Sequence, residues 1–109
     1  NTVDPPANSF AFRVVNVGAA STWQGYTSAA SVATSTNTTI TADTSFHTFT
    51  ITSDGAGSIT FFIDGTLRAT NTTNLPTTGT NLMFFNKNTE AVDKSFDVDY
   101  FSFRMALTR

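Results

Sequence analysis

Apolar and polar residues in this chain mostly alternate with a period of two, and no stretch shows the three-to-four spacing of an amphipathic helix. Phe10, Phe12 and Val14 interleave with Ala11, Arg13 and Val15, which predicts a half-buried strand from about Ser9. A turn over 18–22 leads into a second strand at Trp23-Gln24-Gly25-Tyr26-Thr27. Residues 29–44 are nearly all Ala, Ser, Thr, Val and Asn, with little to fix a register, so one weak strand over 31–38 and a loop are expected. The pattern sharpens at Phe46. His47, Phe49 and Ile51 share one face, while Phe46, Thr48, Thr50 and Thr52 take the other, and Asp54-Gly55-Ala56-Gly57 then turns the chain. The return strand over 58–63 reaches Asp64-Gly65, a strong hairpin dipeptide, and Thr66 to Thr70 completes a three-stranded meander. Leu75-Pro76 and Thr78-Gly79 mark a longer loop before a strand over 82–86. A polar turn over 87–93 precedes a long last strand over 95–105. Seven or eight short strands predict an all-β antiparallel β-sandwich or jelly roll. Asp4-Pro5-Pro6 cannot join a ladder in mid-strand, so residues 1–8 read as an N-terminal arm or linker and 9–109 as the sandwich domain.

Composition agrees with strands. The aromatic share is carried by 11 Phe against one Trp and two Tyr, and 22 Thr and 10 Ser fill much of the rest. A chain of 109 residues hides roughly two thirds of its unfolded surface, enough for a real core. Net charge is −2, and the six basic residues are scattered singly, whereas nucleic-acid binding needs clustered cations. No apolar run approaches the ~20 residues of a membrane-spanning helix. Cysteine is absent, which removes disulfides and thiolate metal sites. The chain opens on Asn1 and is read as a processed or excised piece. Low Lys, no Cys and abundant Thr, Asn and Ser point to an extracellular or virion-surface protein.

Two stretches carry a family resemblance. Phe46-His47-Thr48-Phe49-Thr50-Ile51 followed by Thr60-Phe61-Phe62-Ile63-Asp64-Gly65-Thr66-Leu67 resembles the F-H-x-(Y/F)-x-I and (F/W)-Y-(V/I)-D-G pattern of laminarinase-like glycoside hydrolases. That pattern is shared with LamG-like and concanavalin A-like lectin folds. Asp97-Val98-Asp99-Tyr100-Phe101-Ser102-Phe103 resembles the closing strand of that family. The resemblance covers positions 46 to 104 and implies a concanavalin-like sandwich. Catalysis in the enzymes rests on an E-x-D-x-x-E strand, because retaining hydrolysis needs two carboxyl groups ~5 Å apart. This chain has a single glutamate, Glu90, in a predicted turn, so a non-enzyme is expected. The family's usual length is about twice this one, which leaves its catalytic face without a counterpart.

Candidate sites follow from residue type. Trp23 and Tyr26 offer rings on which a sugar stacks, with Gln24 as a hydroxyl partner and Asn16, Asn86 and Asn88 as further ones. The other reading of Trp23 is a core residue that fills the sandwich. The resemblance implies a structural calcium at Asp99; no other cofactor is expected. Asp97 and Asp99 stand two apart on the predicted strand, ~6–7 Å from each other, and are read as surface carboxylates rather than an acid/base pair. His47, the only histidine, is assigned a structural hydrogen-bonding role. Asn37-Thr38-Thr39 and Asn71-Thr72-Thr73 match the glycosylation acceptor pattern, at the frequency chance gives in so Asn- and Thr-rich a chain.

Modules resembling this one recur in phage structural proteins. The expected function is therefore a non-catalytic structural or attachment module on a virion surface: a tail fibre, spike or capsid decoration protein. Its expected partners are other virion subunits in a homo-oligomer, a trimer among the options, since so much Phe exceeds what a short chain covers. The alternatives are a carbohydrate-binding lectin-like module with a glycan receptor, and the non-catalytic portion of a secreted glycoside hydrolase.

Overall fold

A computed structural model describes residues 6–14, 21–78, 97–102 and 104. The chain divides into two compact units, Pro5–Leu82 and Asn1–Asp4 with Met83–Arg109. Among the described residues every regular element is a strand, and the first unit holds two antiparallel three-stranded sheets. Strands β1 (Ser9–Val14), β2 (Thr22–Ala29) and β3 (Val32–Thr41) make one sheet, in that order. Strands β4 (Phe49–Ser53), β5 (Ile59–Ile63) and β6 (Thr66–Asn71) make the other. The all-β antiparallel class and the meander are thus as predicted, with six strands described rather than seven or eight. The predicted strand over 82–86 lies outside the described residues.

The predicted last strand over 95–105 is corrected at its described residues, 97–102 and 104; its other residues lie outside the described ones. Residues 97–102 and 104 are irregular. Side chains of both parities over 97–102 are exposed, Asp97, Val98, Asp99, Tyr100 and Phe101 among them, so the alternation there has no face to bury.

Each hairpin has its own local cause. Asp64 and Gly65 both take positive φ, 52° and 76°, the two-residue turn whose twist matches its flanking strands. At Asp54 the side chain closes the turn: Oδ1 accepts from the backbone N–H groups of Ala56, Gly57 and Ser58 at 2.8–3.0 Å. The β2–β3 turn puts two non-glycine residues, Ala30 and Ser31, at φ 49° and 68°. It is held from outside, since Ala30 N–H donates to Asn8 Oδ1 and Ser31 N–H to the Ala7 carbonyl. Residues 7 and 8 of the predicted arm are therefore fastened to the first sheet. Opposite Trp23, β3 carries a bulge, with Gln24 facing Asn37 but Thr22 facing Thr41. Thr39 sits in it at φ 64°, and the buried Thr38 hydroxyl donates to the Trp23 carbonyl at 2.7 Å.

The sheets meet along an aromatic seam. Phe12 and Trp23 of the first sheet reach Phe49 and Phe61 of the second, with ring centroids 4.5–5.3 Å apart in tilted or edge-on pairs. Ile59, Phe61 and Ala69 are the buried centre, with Phe12, Ile51 and Leu75 packed against it. Fully burying each large apolar side chain contributes ~1.5–3 kcal/mol. Phe61, wholly buried, lies against Gly25 so closely that a Cβ there would stand 2.6 Å from its ring. Gly25 is thus the gap that admits the ring.

Beside this seam is a polar pin. Asn71, 1% exposed, ends β6 and crosses to the first sheet. Its Nδ2 donates to the Gly25 carbonyl and Thr27 Oγ1 at 3.2 Å and, less closely, to the Thr34 carbonyl, while its Oδ1 accepts from Thr36 Oγ1 at 2.6 Å. Every polar atom of the side chain is satisfied inside the protein, which is how a buried amide is tolerated. The same burial puts the Asn71 side chain, the acceptor of the Asn71-Thr72-Thr73 pattern, inside the fold, while Thr72 and Thr73 are exposed.

Candidate functional site

Strand parity decides where the predicted sugar-stacking residues stand. Gly25 of β2 faces the seam, so Trp23 and Thr27 do too, whereas Gln24 and Tyr26 take the outer face of the first sheet. Trp23 is half-buried against Phe49, and its indole Nε1 is buried without a hydrogen-bond partner among the described residues. Trp23 and Tyr26, three residues apart on one strand, therefore stand on opposite faces of the sheet.

On the outer face Gln24 and Tyr26 do come together, around a residue that sequence reasoning did not single out. Arg13 of β1 stands opposite Gln24 in the ladder and donates to Gln24 Oε1 from Nε and Nη2 at 3.3 and 3.2 Å. Nη2 also donates to Ser35 Oγ of β3 at 2.7 Å. The guanidinium carbon lies 4.6 Å from the Tyr26 ring centre, within cation–π range. Tyr26 is only 6% exposed, and the face a sugar would use is taken by Arg13. The signal was present in the sequence, since Arg13 shares a parity with outward residues of β1. What sequence could not supply was the β1–β2 register.

Asp99 is exposed, on irregular backbone. Among the described residues no group of three or more His, Cys, Asp or Glu side chains is arranged to hold a metal ion. Asn16, Asn86, Asn88 and Glu90 lie outside the described residues.

Among the described residues, the densest electrostatic cluster surrounds His47, whose side chain is 16% exposed in the segment before β4. Its Nδ1 is 2.7 Å from Asp64 Oδ2 in the β5–β6 turn, and its Nε2 is 3.1 Å from Asp43 Oδ1. Thr48 N–H donates to the second oxygen of Asp64 at 2.9 Å, and Ser45 N–H donates to Asp43 at 2.8 Å. Hydrogen bonds to Asp64 and then Asp43 raise the His47 pKa. Asp64 is lowered chiefly by His47, and Asp43 chiefly by the Ser45 N–H and then by His47. Asp54 is lowered to about 2, first by the Ala56 N–H and then by the backbone and side chain of Ser58. All three carboxylates are thus held ionised and already engaged. A groove of about 370 Å³ opens beside the Asp54 turn, between Ser53, Gly55, Gly57 and Ser58 and the Leu75–Pro76 loop. The Asp54 carboxylate is bonded back into its own turn.

No protein-family model, curated protein or solved structure matches the chain.

Proposed function

We propose that the chain is a non-catalytic, concanavalin-like β-sandwich module that serves in structure and attachment on a virion surface and assembles with copies of itself. The observation that carries the reading is a set of large apolar side chains left exposed: Phe46 is 75% exposed, Val32 59% and Leu67 51%. Side chains of this size, so open on a chain this small, fit burial against another subunit. The Thr- and Asn-rich, cysteine-free composition and the resemblance over 46 to 104 support the virion setting.

The chemistry of Asp43, Asp54 and Asp64 supports the non-catalytic part. A glycosidase acid needs a carboxyl whose pKa is raised, and Asp43, Asp54 and Asp64 are all lowered. A lectin reading needs an open ring face, whereas Trp23 rests on Phe49 and Tyr26 lies under Arg13. The test pairs a hydrolysis assay on a β-glucan with a glycan array, using Trp23→Ala as control. The expected result is no reducing-end release and no Trp23-dependent binding. Hydrolysis, or binding abolished by the substitution, would overturn the reading.

A further inference from the structure

We propose that Asp43, His47 and Asp64 form a proton-dependent clamp, which fastens the segment between β3 and β4 to the β5–β6 turn while the imidazole is charged and releases Asp43 when it is neutral. The argument is one of donor count. Both ring nitrogens lie within hydrogen-bond distance of a carboxylate oxygen, at 2.7 and 3.1 Å. An ionised carboxylate only accepts, and a neutral imidazole carries a single N–H, so the two bonds coexist only in the imidazolium. Removing one proton turns one of these contacts into a lone pair facing an anion.

Geometry also says which contact is lost. Asp64 is fixed on three sides: by the shorter ring bond, by Thr48 N–H on its other oxygen, and by its own N–H donating to the Thr48 carbonyl at 2.9 Å. Asp43 is held to the ring by the longer bond, and its remaining tie is to Ser45 within its own segment. The neutral ring therefore keeps its proton on Nδ1 toward Asp64 and lets Asp43 go. What loosens is the stretch over 43–46, which carries the exposed Phe46 and begins just after Ala42, whose N–H stays on the Ser21 carbonyl at 2.9 Å.

The charged groups acting on the ring are Asp43, from its own segment, and Asp64, from the β5–β6 turn; Arg68 of β6 acts on Asp64. From β4 the Phe49 ring meets the imidazole edge-on at 6.1 Å. The raised His47 value means that its contribution is full below the unfolded value of ~6.5 and is lost as pH rises through the folded value above it. The lowered aspartates contribute fully above ~3.8 and lose that contribution as pH falls through their folded values. The clamp is thus closed at mildly acid pH and opens as pH rises through the folded His47 value above 6.5.

The test is an NMR titration of the His47 ring nitrogens and the Ser45 backbone amide, on the wild-type chain and on Asp43→Asn and Asp64→Asn. The clamp predicts a wild-type midpoint above 6.5, a neutral form protonated on Nδ1, and a Ser45 amide signal that moves with the same midpoint. Both variants should lower the midpoint, Asp64→Asn by more. A wild-type midpoint at or below 6.5, or a Ser45 signal that ignores the ring's titration, would overturn the clamp, and neither reading depends on the variants folding.

Discussion

Replacing Gly25 by Ala puts the packing of the two sheets to a direct test. The added Cβ would stand 2.6 Å from Phe61 Cδ2, 2.8 Å from Cγ and 3.0 Å from Cε2, separations that ordinary packing does not allow. The ring has nowhere to retreat, because it is wholly buried and edge-on to Phe12 at 5.3 Å. Overpacking of this kind costs ~1–3 kcal/mol. Because Gly is itself unfavourable in a strand by ~0.5–1 kcal/mol, part of that cost is offset. A net loss of about 1–2 kcal/mol remains, a fall in Tm of roughly 5–15 °C for a domain of this size. The assay is thermal and urea unfolding, followed by circular dichroism, of wild type, Gly25→Ala, Phe61→Leu and the double variant. With the ring gone, Gly25→Ala should cost no more than ~0.5 kcal/mol, giving a coupling of at least ~0.5–1 kcal/mol between the positions. If Gly25→Ala proves neutral, or equally costly in both backgrounds, the two residues do not meet and the packing argument is wrong.

Other perturbations test separate parts of the structure. Asn71→Leu leaves the Gly25 carbonyl and the Thr36 hydroxyl without their partner in the interior, and should destabilise by about 2–4 kcal/mol in urea unfolding. Asp54→Ala removes an acceptor used by three backbone N–H groups. Because the folded pKa is lowered to about 2, Asp54's ionised-state stabilisation is present above ~3.8 and fades as pH falls toward 2, so Tm differences between wild type and Asp54→Ala should shrink over that interval. Asp54→Asn, which keeps an accepting oxygen, should lose less at pH 7. Arg13→Ala should cost no more than ~1 kcal/mol in the same unfolding assay, since its cation–π contact and hydrogen bonds lie on an outer face, and should make the Tyr26 ring more accessible to solvent quenchers of fluorescence.

Much of the first unit could be read from the chain, because its signals are local. The Asp64-Gly65 turn follows from a dipeptide that tolerates positive φ, and β4 and β5 follow from apolar residues at alternate positions. The β2–β3 turn was not legible: Ala30 and Ser31 carry no turn signature, and their left-handed conformations depend on Ala7 and Asn8, over twenty residues away. Strand β4 begins at Phe49 rather than Phe46 because His47 and Thr48 are engaged by Asp43 and Asp64, which pattern alone does not reveal. The alternation over 97–102 misled for the opposite reason, since a period of two says nothing about whether a face exists to bury it.

The site fared differently. That Trp23 and Tyr26 point apart was deducible from their spacing of three, but the position of Arg13 over Tyr26 required the register Arg13↔Gln24. The acid partners of His47 lie four residues before it and seventeen after it; the second was read only as a turn residue, although the hairpin returning to Thr48 brings it alongside.

The claim that this chain works by assembling with its own copies is tested most directly by sedimentation-velocity ultracentrifugation of the full chain over a concentration series, beside a Phe46→Ser, Leu67→Ser double variant. Both side chains are exposed, so the variant should fold as the wild type does. The account predicts an oligomer for the wild type and a shift toward monomer for the variant. A wild-type chain that sediments as a monomer at every concentration would contradict it.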